Sequence, residues 1–148
     1  MTMEKAVKHL GIALILPVAA VAQSTAGDLT VEVNEIRSSS GRIYVAIHTA
    51  REDVNFPDME GAVAGAWWLA IQGRQSVAFL DLPAGTYAVS VFHDENGNGD
   101  LDTNLLGMPT EGYGFANDAT GQMGPPEFEA ASVQVGDASA LASLKLQY

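Results

Sequence analysis

The sequence predicts an all-β fold: a single β-sandwich of about seven short strands spanning residues 23–148. Three observations indicate this. Apolar and polar residues alternate in short runs, turn-forming residues separate those runs, and no run shows the 3.6-residue period of an amphipathic helix. The length of 148 residues suits one domain, and no repeat or second domain is visible.

Residues 1–22 have the pattern of a signal peptide. Lys5 and Lys8 form a short basic region, Leu10–Val21 is apolar, and a small-x-small AVA tripeptide ends the segment. The apolar run is shorter than the ~20 residues that a membrane-spanning helix needs. We therefore expect cleavage near Ala22–Gln23, a mature chain without a transmembrane segment, and a periplasmic or secreted location. An uncleaved anchor is the alternative.

The strand predictions rest on period-two alternation between turn signals. The run Thr86–Phe92 shows it most strongly, whereas Gly112–Phe115 also fits a glycine-rich turn and Ser132–Val135 is a weaker candidate. The predicted strands, in order, are Leu29–Asn34, Arg42–Thr49, Ala66–Ile71, Ser76–Leu80, Thr86–Phe92, Gly112–Phe115, Ser132–Val135 and Leu141–Tyr148.

Two local features predict more than a strand. The turn-forming segment Ser38–Gly41 separates the first two runs, so we expect those runs to form a hairpin. Trp67 and Trp68 are adjacent on a strand, so their rings should point to opposite faces. One ring should then belong to the core. The other could be exposed as a platform for a sugar or peptide, or be covered by packing.

The composition narrows the classes of partner. The chain has 7 basic and 18 acidic residues, a net charge of −11. Removal of Lys5, Lys8 and Glu4 with the signal peptide leaves 5 basic and 17 acidic residues, or −12. Such a surface repels nucleic acid and anionic lipid and favours cations or a basic partner. The chain has no cysteine, so an exported domain must be stabilised by its core or by a bound ion.

The loop HDENGNGDLD, residues 93–102, carries the most specific chemical signal. Acidic and amide side chains alternate with glycines, as in the start of the helix–loop–helix calcium loop, and Gly99 falls where that loop turns sharply. Asp100 would contribute its backbone carbonyl, and Asp102 would act directly or through a water. The candidate calcium ligands are Asp94, Asn96, Asn98, Asp100, Asp102 and Glu111.

The match to a calcium loop is incomplete. Leu105 occupies the position of the closing bidentate glutamate, so Glu111 would have to fold back to complete the shell. A polar turn that binds nothing is the alternative, because Asn, Gly and Asp are the residues of any tight loop. Magnesium is less favoured, because it retains more water and takes fewer protein ligands.

Catalysis has weaker support. His93 lies at a strand end, and a small hydrolase using His93 with Asp94 or Glu111 is one alternative. No serine nucleophile motif, no HExxH motif and no second histidine at ligand spacing accompanies it, so a structural histidine is the favoured interpretation. We therefore assign no catalytic residue and no organic cofactor.

Two segments carry a family resemblance. VAFLDLPAGTYAVSVFHDENGNGDLDTNLLGMPTEGYGFAN (Val77–Asn117) and PPEFEAASVQV (Pro125–Val135) resemble the bacterial exported family DUF2141, with departures at Thr110 and Ala116. The resemblance implies a signal peptide and an immunoglobulin-like or transthyretin-like sandwich. It implies no activity.

The resulting functional hypothesis is an exported, non-catalytic module with a calcium-ordered loop and a binding or envelope-accessory role. Its partner would be a protein, peptide or glycan, and not nucleic acid. An outer-membrane-associated scaffold component is a further alternative.

Overall fold

The structure, a computed structural model, describes residues 25–148. The predicted signal peptide lies outside the described residues. The fold is all-β, as predicted, and has eight strands and three single-turn 3₁₀ helices in the described part. The strands are β1 (Ala26–Ile36), β2 (Arg42–His48), β3 (Ala62–Leu69), β4 (Gly73–Pro83), β5 (Gly85–Asp94), β6 (Gly112–Phe115), β7 (Ser132–Val135) and β8 (Ala140–Lys145). The 3₁₀ helices are Met59–Gly61, Ala116–Asp118 and Glu129–Ala131.

The strands form two sheets. The smaller has the order β4-β1-β8, in which β1 runs antiparallel to β4 and parallel to β8. The larger has the order β3-β2-β5-β6, and β7 also pairs with β5. Because β6 pairs with Ser90–His93 and β7 with Gly85–Ala88, these two short strands lie one after the other along the same edge of β5.

The core lies between the two sheets and confirms the alternation read from the sequence. Leu29, Val31 and Val33 of β1 face Ile43, Val45 and Ile47 of β2 across one apolar cluster, and all six are buried. Burying such a side chain stabilises the folded state by roughly 1.5–3 kcal/mol relative to exposure. Packing of this kind holds the sheets together in a chain that has no cysteine.

The predicted hairpin of the first two strands is wrong. β1 pairs only with β4 and β8, whereas β2 pairs with β3 and β5 in the other sheet. The segment Arg37–Gly41 is therefore a crossover between sheets. Period-two alternation shows which face of each strand is buried, but it does not identify the neighbouring strand, and both arrangements bury the same residues.

The two tryptophans point to opposite faces of β3, as expected. The Trp68 ring packs edge-on against Phe79 of β4, with ring centroids 6.0 Å apart, beside the core. Trp67 is 49% exposed, and the Arg42 guanidinium lies 4.2 Å from its ring centroid. Arg42 therefore covers one face of the exposed ring.

The antiparallel register of β2 and β5 shows which residues lie at each end of the larger sheet. Arg42 is paired with Asp94 at one end, and His48 is paired with Ala88 toward the other. The loop that follows Asp94 and the connection that follows His48 therefore lie at opposite ends of this sheet. Within residues 25–148, no helix is long and apolar enough to cross a membrane.

Gly41 should be essential for packing where the crossover meets the end of β5. Its φ is +69°, and a Cβ at this position would lie 1.9 Å from the Asp94 carbonyl oxygen. We expect Gly41→Ala to lower the free energy of unfolding by about 3 kcal/mol, measured by urea denaturation.

Gly73→Ala is the matched control. Gly73 also has a positive φ, +94°, but nothing lies within 4 Å of its Cβ position. Backbone strain alone should then cost about 1 kcal/mol. Equal losses in the two variants would contradict the close approach at Gly41.

Candidate functional site

The predicted loop lies at an end of the sandwich rich in buried ionisable groups. Among residues 25–148, four polar or charged side chains are buried, namely His48, His93, Asp94 and Glu111. Three of them lie at or beside this loop, and only His48 lies at the other end of the sheet. Burying such groups without partners is costly, so the contacts of each one define what the site can do.

His93 has a hydrogen-bond partner at each ring nitrogen. Nε2 lies 2.7 Å from the Ser40 carbonyl oxygen, and Nδ1 lies 2.8 Å from the Tyr148 hydroxyl. A carbonyl can only accept, so Nε2 carries the proton and Nδ1 of the neutral ring accepts from Tyr148. Both nitrogens of this fully buried ring are therefore used in packing the sandwich.

Tyr148 holds the last described residues against this end of the molecule. Its hydroxyl accepts a 3.1 Å hydrogen bond from the Arg37 backbone N–H, and the Arg37 guanidinium lies 4.2 Å from its ring centroid. A Cβ on Gly112 would lie 2.4 Å from the ring, so only glycine fits there without displacing Tyr148. Burial raises the pKa of the Tyr148 hydroxyl.

An ion pair joins the crossover to the start of the loop. The Arg37 guanidinium binds both carboxylate oxygens of Glu95, and the Ser38 hydroxyl donates a 2.9 Å hydrogen bond to the same carboxylate. The Arg37 hydrogen bonds lower the pKa of Glu95 below its ordinary value, although partial burial acts the other way.

Asp94 shapes the first half of the loop. Its Oδ1 accepts backbone N–H bonds from Gly97 at 2.7 Å and Asn98 at 3.1 Å, and its Oδ2 accepts one from Gly99 at 2.9 Å. Gly97 and Gly99 have φ of +77° and +90°, which lets the chain turn tightly around the carboxylate. The sharp turn predicted at Gly99 is therefore present.

Glu111 folds back to the loop, as the sequence hypothesis required. Its Oε1 accepts backbone N–H bonds from Glu95 at 2.9 Å and Asn96 at 3.4 Å, and its Oε2 accepts one from Asp102 at 3.1 Å. The carboxylate therefore bridges the first and last parts of the loop. Glu111 directly precedes β6, whose pairing with β5 brings it to this position.

The outer side chains of the loop converge on Asp102. The amide nitrogens of Asn96 and Asn98 both donate to its carboxylate, the latter at 2.9 Å. The amide oxygens accept backbone N–H bonds, from Asn98 to Asn96 at 3.0 Å and from Asp100 to Asn98 at 2.9 Å. Asp100 is exposed, and in this network it takes part through its backbone N–H.

Five of the six predicted ligands thus belong to one hydrogen-bonded unit through their side chains: Asp94, Asn96, Asn98, Asp102 and Glu111. Across residues 25–148, no group of three or more His, Cys, Asp or Glu side chains is arranged to hold a metal ion. Side-chain amide oxygens and backbone carbonyl oxygens, which also bind calcium, are not among these four types of side chain. A calcium shell here would therefore depend on Asn96 and Asn98 as well as the carboxylates.

The segment after Asp102 forms a small hairpin that the sequence reading missed. Thr103 pairs with Pro109, and the Asn104 side-chain oxygen accepts N–H bonds from Leu106 at 2.9 Å and Met108 at 3.1 Å. Its tip presents Leu105, fully exposed, with Leu106 and Met108 also exposed. The local signal was available in Asn104, whose side chain favours such turns.

The contacts of Arg37, Glu95 and Tyr148 were not foreseen. Arg37 and Tyr148 are 111 residues apart, and Arg37 and Glu95 are 58 apart. No spacing rule relates residues so distant in sequence, so these contacts depend on the sheet arrangement.

The Tyr148 hydroxyl should contribute measurably to stability. We expect Tyr148→Phe to lower the free energy of unfolding by about 2 kcal/mol, because it leaves the buried His93 Nδ1 and the Arg37 N–H unpartnered. Denaturation of the full chain measures the loss. Tyr113→Phe is the control, because its hydroxyl has no part in these two bonds. A loss no larger than that of Tyr113→Phe would contradict the assigned hydrogen bonds.

Glu95 should titrate below the ordinary glutamate pKa of about 4.3. Because the pKa of Glu95 is lower in the folded state, its ion pair with Arg37 stabilises the folded protein at pH values above the ordinary glutamate pKa. This stabilisation disappears as the pH falls through the folded-state pKa of Glu95. Carboxyl NMR titration should show the Glu95 pKa rising in Arg37→Gln. Arg74→Gln, which removes a surface arginine that pairs with Glu32, should leave it unchanged.

Residues 31–142 match the family described as "Uncharacterized protein conserved in bacteria (DUF2141)". No curated protein and no solved structure gave a match. The family match extends from β1 into β8 and includes the whole loop, so it covers most of the chain. The chain therefore belongs to the DUF2141 family.

Proposed function

We propose that this protein is an exported, non-catalytic binding module whose recognition loop, residues 94–111, is ordered by calcium. One observation carries the proposal: the carboxylates of Asp94, Asp102 and Glu111 all close on the same short loop. These side chains bring three negative charges to one loop, and a divalent cation would offset the repulsion among them. Because the chain has no cysteine and so no disulfides, a bound ion would be an additional source of stability.

The donor chemistry fits calcium. Carboxylate, amide and backbone carbonyl oxygens are the ligands that calcium takes, six to eight at a time. The amide groups of Asn96 and Asn98 now point their nitrogens at Asp102. Binding would turn both amides so that their oxygens and the Asp102 carboxylate face the ion. Asp94 and Glu111, already held by backbone N–H groups, retain a lone pair on each side of the loop.

The contacts of His93 favour binding over catalysis. A general base needs a nitrogen within reach of substrate, and both His93 nitrogens are hydrogen-bonded inside the sandwich. Asp94 and Glu111 accept three backbone N–H bonds each. The hydrolase alternative therefore gains no support from the geometry of its three residues.

The hairpin beyond Asp102 supports a recognition role. Leu105, Leu106 and Met108 are 105%, 87% and 58% exposed, and all three follow the proposed ion site directly. An ordered loop that presents apolar side chains suits an apolar pocket on a protein or peptide partner. A glycan remains the alternative ligand, with the exposed Trp67 as its candidate platform.

Location and fold type complete the proposal. The signal-peptide pattern of residues 1–22 supports a periplasmic or secreted protein. The net charge of −11 supports a partner other than nucleic acid. The two facing sheets support an immunoglobulin-like or transthyretin-like sandwich. An envelope-accessory role fits the same features, and an outer-membrane-associated scaffold is the alternative.

Calcium should stabilise the protein. For an affinity of about 10⁻⁴–10⁻³ M, typical of extracellular sites, 10 mM calcium should add about 1.4–2.7 kcal/mol to the free energy of unfolding. For a domain of this size we expect a rise in Tm of about 5 °C. Calorimetric titration and thermal melts, each repeated with magnesium, measure the effect.

Asp102→Asn tests the site and leaves the backbone hydrogen bonds of Asp94 and Glu111 in place. Asp94→Ala is less suitable, because Asp94 holds three backbone N–H groups whether or not calcium is bound. Asp102→Asn should abolish the calcium-dependent rise, and Asp137→Asn, an exposed acid between β7 and β8, should retain it. An unchanged melting temperature and no heat of binding at 10 mM calcium, in the wild-type protein, would disprove the calcium site.

A further inference from the structure

A cavity lies at the end of the larger sheet opposite the loop. It has a volume of about 360 Å³, is open to solvent, and is lined by the end of β2, the connection after it, and the segment 125–129. Ligand pockets have volumes of about 300–1,000 Å³, so this one suits a small molecule. Nothing in the proposed calcium loop uses these residues.

His48 forms part of the cavity wall and has an unsatisfied nitrogen. The side chain is 1% exposed, and its Nε2 lies 2.9 Å from the Ser90 hydroxyl, outside the cavity. Its Nδ1 is buried and has no hydrogen-bond partner within the described chain. Nδ1 lies 3.9 Å from the Cβ position of Gly61, and Gly61 and Val54 both line the cavity. The unpartnered nitrogen therefore lies on the side of the ring that Gly61 covers, behind the cavity wall and out of reach of solvent.

The chemistry around this nitrogen favours a ligand group that donates a hydrogen bond to it. Burial lowers the pKa of His48 below its ordinary value, which keeps the ring neutral. When Nε2–H donates to the Ser90 oxygen, Nδ1 presents a lone pair. A buried acceptor without a donor is costly, and a ligand N–H would remove that cost.

The rest of the lining sets the charge and shape of the ligand. The lining residues include three exposed acids, Asp58, Glu127 and Glu129. Arg51, the one cationic lining residue, binds Asp53 and the Glu60 carbonyl. The lining is therefore acidic. Aromatic walls complete it: Phe56 packs edge-on against His48 at 5.0 Å and against Phe128 at 6.1 Å between ring centroids.

We propose that this cavity binds a small organic cation that carries N–H donors on an apolar body, such as an arylalkylammonium ion. The carboxylates attract the positive charge, the phenylalanine rings accept a cation and an apolar group, and His48 Nδ1 accepts an N–H bond. An anion is repelled by the same lining. Because solvent does not reach Nδ1, the proposed N–H bond requires the connection that carries Gly61 to shift when the ligand binds.

Three aromatic probes of similar size separate the effect of charge from that of shape. Benzylammonium, benzyl alcohol and benzoate are titrated into the full chain by NMR and calorimetry, in EDTA so that the result is independent of calcium. We expect saturable binding of benzylammonium with shifts at His48, Val54 and Gly61. Benzyl alcohol should bind about tenfold more weakly, and benzoate should not bind. Equal binding of all three probes, or no saturable binding of benzylammonium, would overturn the proposal.

Two variants identify the groups responsible. His48→Gln retains a donor to Ser90 in the place of Nε2 and removes Nδ1, and Glu127→Gln removes one carboxylate without changing side-chain size. Each should weaken benzylammonium binding about tenfold. Asp137→Asn, outside the cavity, should have no effect. Wild-type affinity in both cavity variants would overturn the proposal, and Glu127→Gln keeps the test valid should His48→Gln fail to fold.

Discussion

A buried carboxylate must be satisfied by hydrogen bonds or by a cation, and in this protein backbone hydrogen bonds to two such groups determine the shape of one end of the sandwich. Asp94 ends β5 in the interior, and the chain turns back so that three backbone N–H groups reach it. Glu111, which directly precedes β6, likewise accepts three backbone N–H bonds from this loop. Two buried acids thereby organise a loop that has little apolar packing of its own.

The same end is closed by contacts between distant parts of the chain. Tyr148 connects His93 to the Arg37 backbone, and the Arg37 side chain pairs with Glu95. The crossover between sheets, the start of the loop and the last described residue are thus fixed together. These contacts anchor the base of the loop that carries the exposed apolar side chains, in a domain without disulfides.

The opposite end of the larger sheet differs, because its buried histidine has a hydrogen-bond partner at only one of its two ring nitrogens. His93 has partners at both nitrogens, whereas His48 has one at Nε2 only. A fully satisfied ring stabilises the fold, and a partly satisfied one is where a ligand can contribute binding energy. The two histidines of the described chain therefore differ in hydrogen bonding despite similar burial.

The sequence alone determined which residues are buried and which local turns form. Alternation identified the core faces of Leu29–Val33 and Ile43–Ile47, and the spacing of Asp, Asn and Gly identified the loop. It also indicated the return of Glu111 to that loop. These features depend on neighbours within about 20 residues, where periodicity and turn chemistry act directly.

Only the tertiary structure decided which strands pair and which distant side chains meet. A hairpin of the first two strands buries the same residues as the observed crossover, so the pattern could not exclude it. The contact of Tyr148 with His93, and the cavity beside His48, arise where segments far apart in sequence pack together. The sequence thus determined the buried faces of the strands and the polar loop. The packing of the two sheets determined which distant residues meet at each end of the sandwich.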